Sequence, residues 1–322
     1  MSVVSSAAGR LSLVAMMALS AGSVSPVAAQ ATRQVASSAP TAASVATIIV
    51  AHGGDSIWNS HVFDVARQAK TGGPVEVSFL MGPAAAQTRF QDVVAKLEKG
   101  GASRIVVIPM LVSSHSGHYD QIRYLAGENV KLDETMEHHL HMSGIAKPTT
   151  RVPMVITKAI DSSPELADVL TDRAKAMTNA PREHALMIVG HGPNDAEEYA
   201  HWMRHLRIVA DSVKARTGYR DVRLEMVRDD APPHVRAEAV IRVRELIDMQ
   251  SQITGRDVMV IPVLLSRGSV SRSKVAADIA GTKSKYVAET ILPHPAMARW
   301  VESRVREASA ASTSASKAAS SN

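Results

Sequence analysis

Apolar positions in this chain form two kinds of run, and their alternation predicts an α/β fold. Residues 46–51, 104–112, 184–190 and 257–265 are short and almost continuously apolar, while 75–80, 152–157, 222–227 and 286–292 are short runs with more polar positions that also read as strands. Such runs suit parallel strands covered on both faces. Between them the spacing becomes helical. Phe90, Val93, Val94 and Leu97 follow the i, i+3, i+4, i+7 rule, and Gly100-Gly101 ends that helix. Leu166, Val169 and Leu170 repeat the pattern after Pro164, as do Val240, Val243 and Ile247. Helices are also expected over 56–70, capped by Asp55, over 121–126 and 196–216, and after Pro295. Residues 127–150 show no clear period and read as a solvated loop.

The order of elements recurs, so the chain reads as two tandem βαβ-built units, each a small parallel sheet flanked by helices. The expected boundaries are 46–180 and 181–307. The length of 322 residues, with 45% hydrophobic and 21% charged, supports two cores. Residues 1–29 have the three-part order of a secretory signal: Arg10, an apolar centre over 11–21, and Val27-Ala28-Ala29 before the cleavage point. Residues 30–45 are expected to be a flexible linker, and the Ala/Ser-rich 308–322 a disordered tail. The expected product is periplasmic or secreted, with no later stretch long and apolar enough to span a bilayer. With no cysteine, disulfides and thiolate metal ligands are excluded. Aromatic content of 3% and scattered Lys/Arg argue against nucleic acid, while a net charge of +5 suits an anionic small molecule.

Candidate chemistry sits where two apolar runs end. TIIVAHGG closes on His52, and RIVVIPMLVSSHSGHYD carries His115 and His118. Ligands of open α/β sheets bind at the carboxyl ends of the strands, so these imidazoles converge on one crevice as a plausible site for a divalent transition metal. The repeat allows an internal comparison. GHGP places His191 where AHGG places His52, but SRGSVS replaces SSHSGH, so a two-histidine site is complete only in the first half. His191 therefore reads as structural or interdomain. His138, His139 and His141 could collect metal ions, although a solvated loop is the plainer reading; Asp229-Asp230 read as turn residues, and His294 as a helix-entry residue. No G-x-S-x-G, Walker A, H-E-x-x-H or G-x-G-x-x-G sequence is present.

With IIVAHGG, VEVSFLMGP, GASRIVVIPMLVSSHSGHYDQI and AIDSSPELADVLTDRA on the page, the chain resembles the class II tetrapyrrole chelatases, the CbiX-type sirohydrochlorin cobaltochelatase and ferrochelatase family. The likeness covers 46–175, with a weaker copy over 183–306. The resemblance implies paired flavodoxin-like units, a tetrapyrrole partner, and a divalent metal as substrate, Co2+ first and Fe2+ or Ni2+ as alternatives. It carries the metal-binding and catalytic roles onto His52 and His118. Ser114, His115 and Arg123 are assigned to the macrocycle, with Arg89 a further candidate for its carboxylates. Many family members have glutamate at the end of the second strand, where this chain has Met81 and, in the second half, Arg228. The activity implied is that of a lyase inserting metal into the pigment; the alternative is a non-catalytic periplasmic binder of metal or tetrapyrrole. Homo-oligomerisation is left open.

Overall fold

The computed structural model describes residues 44–319. The expected signal and nearly all of the expected linker lie outside the described residues, but Ser44 and Val45 already belong to the first strand. The first half runs β1 (Ser44–Ala51), α1 (Ser56–Gln68), β2 (Val75–Phe79), α2 (Phe90–Lys99), β3 (Ala102–Met110), α3 (Gly117–Leu125), α4 (Glu134–Met142), β4 (Met154–Ile156) and α5 (Pro164–Met177). The second runs β5 (Ala185–Gly190), α6 (Ala196–Thr217), β6 (Asp221–Met226), α7 (Pro233–Thr254), β7 (Val258–Val263), α8 (Val275–Asp278), β8 (Ser284–Tyr286) and α9 (Ala296–Ala319).

Each half contains a four-stranded sheet, ordered β2-β1-β3-β4 and β6-β5-β7-β8, with every pairing parallel. The predicted tandem α/β architecture is therefore present. The central strands are apolar throughout because helices cover both faces: Ile105 to Ile108 and Leu186 to Val189 are all at most 1% exposed. Each amphipathic helix is fixed to its sheet by a handful of side chains. In α2 these are Phe90, Val93, Val94 and Leu97, each contributing about 1.5–3 kcal/mol on burial.

Four local expectations are corrected. Residues 134–142 form α4 instead of loop; Asp133 accepts from the Met136 amide, and carboxylates in the first turn with histidines in the last complement the helix dipole. Only Leu140 of this helix is buried, so it has no apolar stripe to betray it. Helix α3 starts at Gly117, earlier than expected, because Ser116 caps it by accepting from the Tyr119 amide. Strand β8 is shorter and earlier than 286–292, although Ile291 and Leu292 still donate to the Leu264 and Leu265 carbonyls. The Ala/Ser-rich tail continues α9 to Ala319: alanine is the best helix former, and extending an existing helix needs no new nucleus.

The halves are interlocked. Helix α5, which closes the first half, packs on β7 and α6, while α9 packs on β3 and α1. The Tyr219 hydroxyl donates to the Ala174 carbonyl at 2.8 Å, and Arg216 meets Asp168 at 2.7 Å, so α5 is held on the second half by polar contacts too. Loops at the carboxyl ends of the strands also meet. On one flank Asp55 pairs with Arg272 at 3.2 Å and His61 Nδ1 lies 2.8 Å from Ser266 Oγ; on the other, Trp202 Nε1 donates to the His115 carbonyl at 2.7 Å. The entry helix of each half thus rests on the third-strand loop of the other, a pseudo-two-fold arrangement that brings both ligand-binding edges together. Among the described residues no helix is long and apolar enough to cross a membrane.

Candidate metal centre

His52 follows β1 directly. The chain turns there through Gly53 at φ 97°, where an added Cβ would come within 2.2 Å of the Met81 carbonyl oxygen, so only glycine permits the turn. His118 comes from the first turn of α3, one element later than the strand-end loop suggested. The two rings meet edge to face, with centroids 4.8 Å apart and planes at 82°.

Both tautomers are fixed by the second contact each ring makes. His52 Nδ1 lies 2.7 Å from the Gly53 carbonyl, which can only accept, so Nδ1 carries the proton. His118 Nδ1 lies 2.8 Å from Gln121 Oε1, and Gln121 Nε2 donates to the Met136 carbonyl at 2.7 Å, which fixes the amide so that its oxygen faces the imidazole. Gln121 is itself fully buried. Each ring therefore keeps Nε2 as a lone-pair nitrogen, the arrangement in which an outer contact orients a metal-binding histidine. Desolvation lowers the pKa of both. His118 is pushed down to about 4, first by burial and then by the neighbouring His52. His52 is lowered chiefly by burial, against the pull of the Gly53 carbonyl. Both rings are neutral at pH 7 and able to donate to a cation.

Other histidines approach this pair. His139, the middle member of the α4 group, has its ring centroid 6.0 Å from that of His118, and its Nδ1 is buried with no hydrogen-bond partner among the described residues. His138 and His141 are exposed. Sequence reading treated the three together; the usable signal was Asp133 as a helix cap, which sets His139 on a different face from the other two. From the second half, His191 pairs through Nε2 with Asp230 Oδ2 at 3.1 Å, so Asp230 is more than a turn residue; accepting that hydrogen bond lowers its pKa. Asp229 is tied to Arg236 and Lys274, and His294 reaches Asp172 while its Nδ1 accepts from the Ala296 amide at the entry to α9.

The end of β2 supplies no carboxylate. Met81 donates its amide to the His52 carbonyl at 2.9 Å, and the equivalent Arg228 braces the loop after β5 through the Pro193 and Asn194 carbonyls. Among the described residues no three His, Asp or Glu side chains are arranged to hold an ion together. Two imidazoles alone leave most coordination positions free for water or for the nitrogens of an incoming ligand.

The residues assigned to the macrocycle lie elsewhere. Ser114 is a structural tie: its amide and hydroxyl both donate to Asp161, each at 2.7 Å, and its oxygen accepts from the Ala159 amide. His115 stacks on His201 with centroids 3.8 Å apart and planes at 6°, against the second half. Both Arg123 contacts are internal, to Glu128 at 2.7 Å and Asp120 at 3.0 Å. These three residues line a cavity of about 590 Å3 that neither His52 nor His118 touches. With Asp120, Glu128, Asp195, Glu197 and Glu198 facing only Arg123 and Lys158, the cavity is acidic and offers no free arginine to a carboxylate-bearing pigment. Arg89 stands beside Gly144 with its Nε buried and unpartnered among the described residues.

Two four-stranded parallel sheets, each flanked by helices, define a tandem α/β fold of the kind seen in chelatase-like proteins. Residues 46–177 match the CbiX family model. Among solved structures the chain is similar to SirB from Bacillus subtilis, determined with Fe3+, at 18% identity and a TM-score of 0.58, covering 84% of this chain and 98% of that one. It is also similar to DR2241 from Deinococcus radiodurans, a multi-domain protein described as structurally similar to chelatases, at 15% identity and a TM-score of 0.54; the match covers 82% of this chain and 55% of DR2241. At these identities both likenesses concern the fold. No curated protein matches the chain.

Proposed function

We propose that this protein inserts a divalent metal ion into a sirohydrochlorin-like tetrapyrrole, with the ion held by His52 and His118. The observation that carries the reading is the pair of neutral rings 4.8 Å apart, each with Nδ1–H committed to a protein oxygen and Nε2 left as a donor. Two imidazoles bind a transition cation firmly enough to strip part of its water shell. They leave room for pyrrole nitrogens to replace them one at a time. SirB was determined with Fe3+, which supports a metal-handling site in a protein of this fold. Co2+ is the proposed metal, with Fe2+ and Ni2+ as competitors in the same assay. Because the leader resembles a secretory signal, the protein is proposed to act after export, beginning at Gln30.

Met81 favours a second reading, a periplasmic binder of metal or tetrapyrrole, because a thioether is a poor ligand for a hard divalent ion and accepts no proton at neutral pH. One assay separates the two. Mature protein mixed with sirohydrochlorin and Co2+ should accelerate the absorbance change of insertion above the protein-free rate, and His118→Ala should abolish that acceleration. Spectral evidence of binding with an unaltered insertion rate would establish the binder instead.

A further inference from the structure

The second half contributes a histidine–carboxylate pair to the edge where the His52–His118 pair lies. His191 is the internal counterpart of His52: Gly190 pairs with Met226 as Ala51 pairs with Phe79, and the next residue in each half is the histidine. The third-strand loop of this half lost its histidine, yet His191 kept a partner in Asp230 at 3.1 Å. Asp230 can only accept, so this contact favours the proton on His191 Nε2 and leaves Nδ1 as the lone-pair nitrogen. That Nδ1 is buried and has no hydrogen-bond partner among the described residues. Asp230, by contrast, is 66% exposed, so the pair connects a covered nitrogen to bulk water.

Position relative to the metal centre follows from the cross-contacts at both flanks, Asp55 with Arg272 and His115 with Trp202, which bring the two carboxyl edges together. His191 is close enough for its charge to act on both His52 and His118. It is nevertheless not arranged with them to hold one ion. A nitrogen near the centre but outside it, backed by a carboxylate, has the geometry of a general base. The end of β2, where Met81 stands, supplies no group for that task.

We infer that His191 accepts the protons released when the metal enters the macrocycle, with Asp230 orienting its ring and stabilising the imidazolium; this rests on the insertion reading above. The divalent ion replaces two pyrrole N–H protons. His191 Nδ1 takes the first, the imidazolium passes its Nε2 proton through Asp230 to water, and after the ring regains its Nε2–H tautomer by proton exchange with water Nδ1 takes the second. Metal–nitrogen bonds form as N–H bonds break, with no change of oxidation state.

The test uses the mature full chain with sirohydrochlorin and Co2+. His191→Ala should lower kcat by about 100-fold with KM changed less than about threefold, while Co2+ binding to the pigment-free protein stays at the wild-type level. Added imidazole should restore a substantial part of kcat, which a merely structural role would not allow. Asp230→Asn should lower kcat less, by about 10-fold, and serves alone if the alanine variant does not fold. Wild-type turnover in His191→Ala, a loss of Co2+ affinity matching that of His118→Ala, or a folded variant that imidazole does not rescue overturns the assignment. An active wild type with an unimpaired variant sinks only this inference. A wild type that never inserts metal sinks the insertion reading as well.

Discussion

At the residue scale, what matters is which nitrogen of each ring is left free. Gln121 is buried so that one amide can serve two neighbours, the Met136 carbonyl and the His118 ring, and the result is a single tautomer. Keeping His118 neutral makes stability depend on pH in the metal-free protein. Its folded pKa of about 4 lies below the ordinary 6.5, so the unfolded chain binds more protons between those values. The contribution is complete above about pH 6.5 and is lost as the pH falls toward 4, amounting to roughly 3 kcal/mol across the window. Urea midpoints measured at pH 7 and pH 4.5 should therefore differ more for the wild type than for His118→Gln. Equal differences would mean that the ring is not held neutral by burial.

Elements decide whether these side chains arrive together. The β1–α1 turn depends on Gly53, because its φ of 97° and the 2.2 Å approach of a Cβ to the Met81 carbonyl both exclude a side chain. Gly53→Ala should cost about 2 kcal/mol or more and displace the His52 ring. Thermal melting would show the first effect, and weaker Co2+ binding the second. Strand ends were legible in the sequence because strands buried on both faces leave long apolar runs, after which any polar residue is conspicuous. His52 and His118 were found that way. Helix α4 was not, since its one buried residue gives no period, and so His139 could not be told from His138 and His141. The pairing of Arg123 was hidden for a different reason. Its neighbours Asp120 and Glu128 fold back onto it, and sequence spacing does not show which of two nearby partners a guanidinium takes.

For the molecule as a whole, the exchange of α5 and α9 makes the halves interdependent. Leu166, Val169 and Leu170 of α5 are buried in a chain where that helix packs on β7 and α6. Exposing them would forfeit about 1.5–3 kcal/mol each, a large share of the 5–15 kcal/mol typical of a domain. Residues 46–180 expressed alone should therefore give a loosely packed or aggregating product, with weak near-ultraviolet circular dichroism, and co-expression with 181–307 should restore the folded signal. A cooperative, monomeric first half would show that the exchange is dispensable. The sequence by itself determined the parallel strands, the repeat and the places of His52 and His118 beyond two apolar runs, because burial on both faces and helical spacing act over a few neighbouring residues. Only the tertiary structure decided which half each closing helix covers, which carboxylate takes which cation, and that His191–Asp230 lies at the edge His52 and His118 occupy. Those outcomes depend on how helices and side chains meet once the two sheets pack, and that packing leaves no local pattern in the sequence.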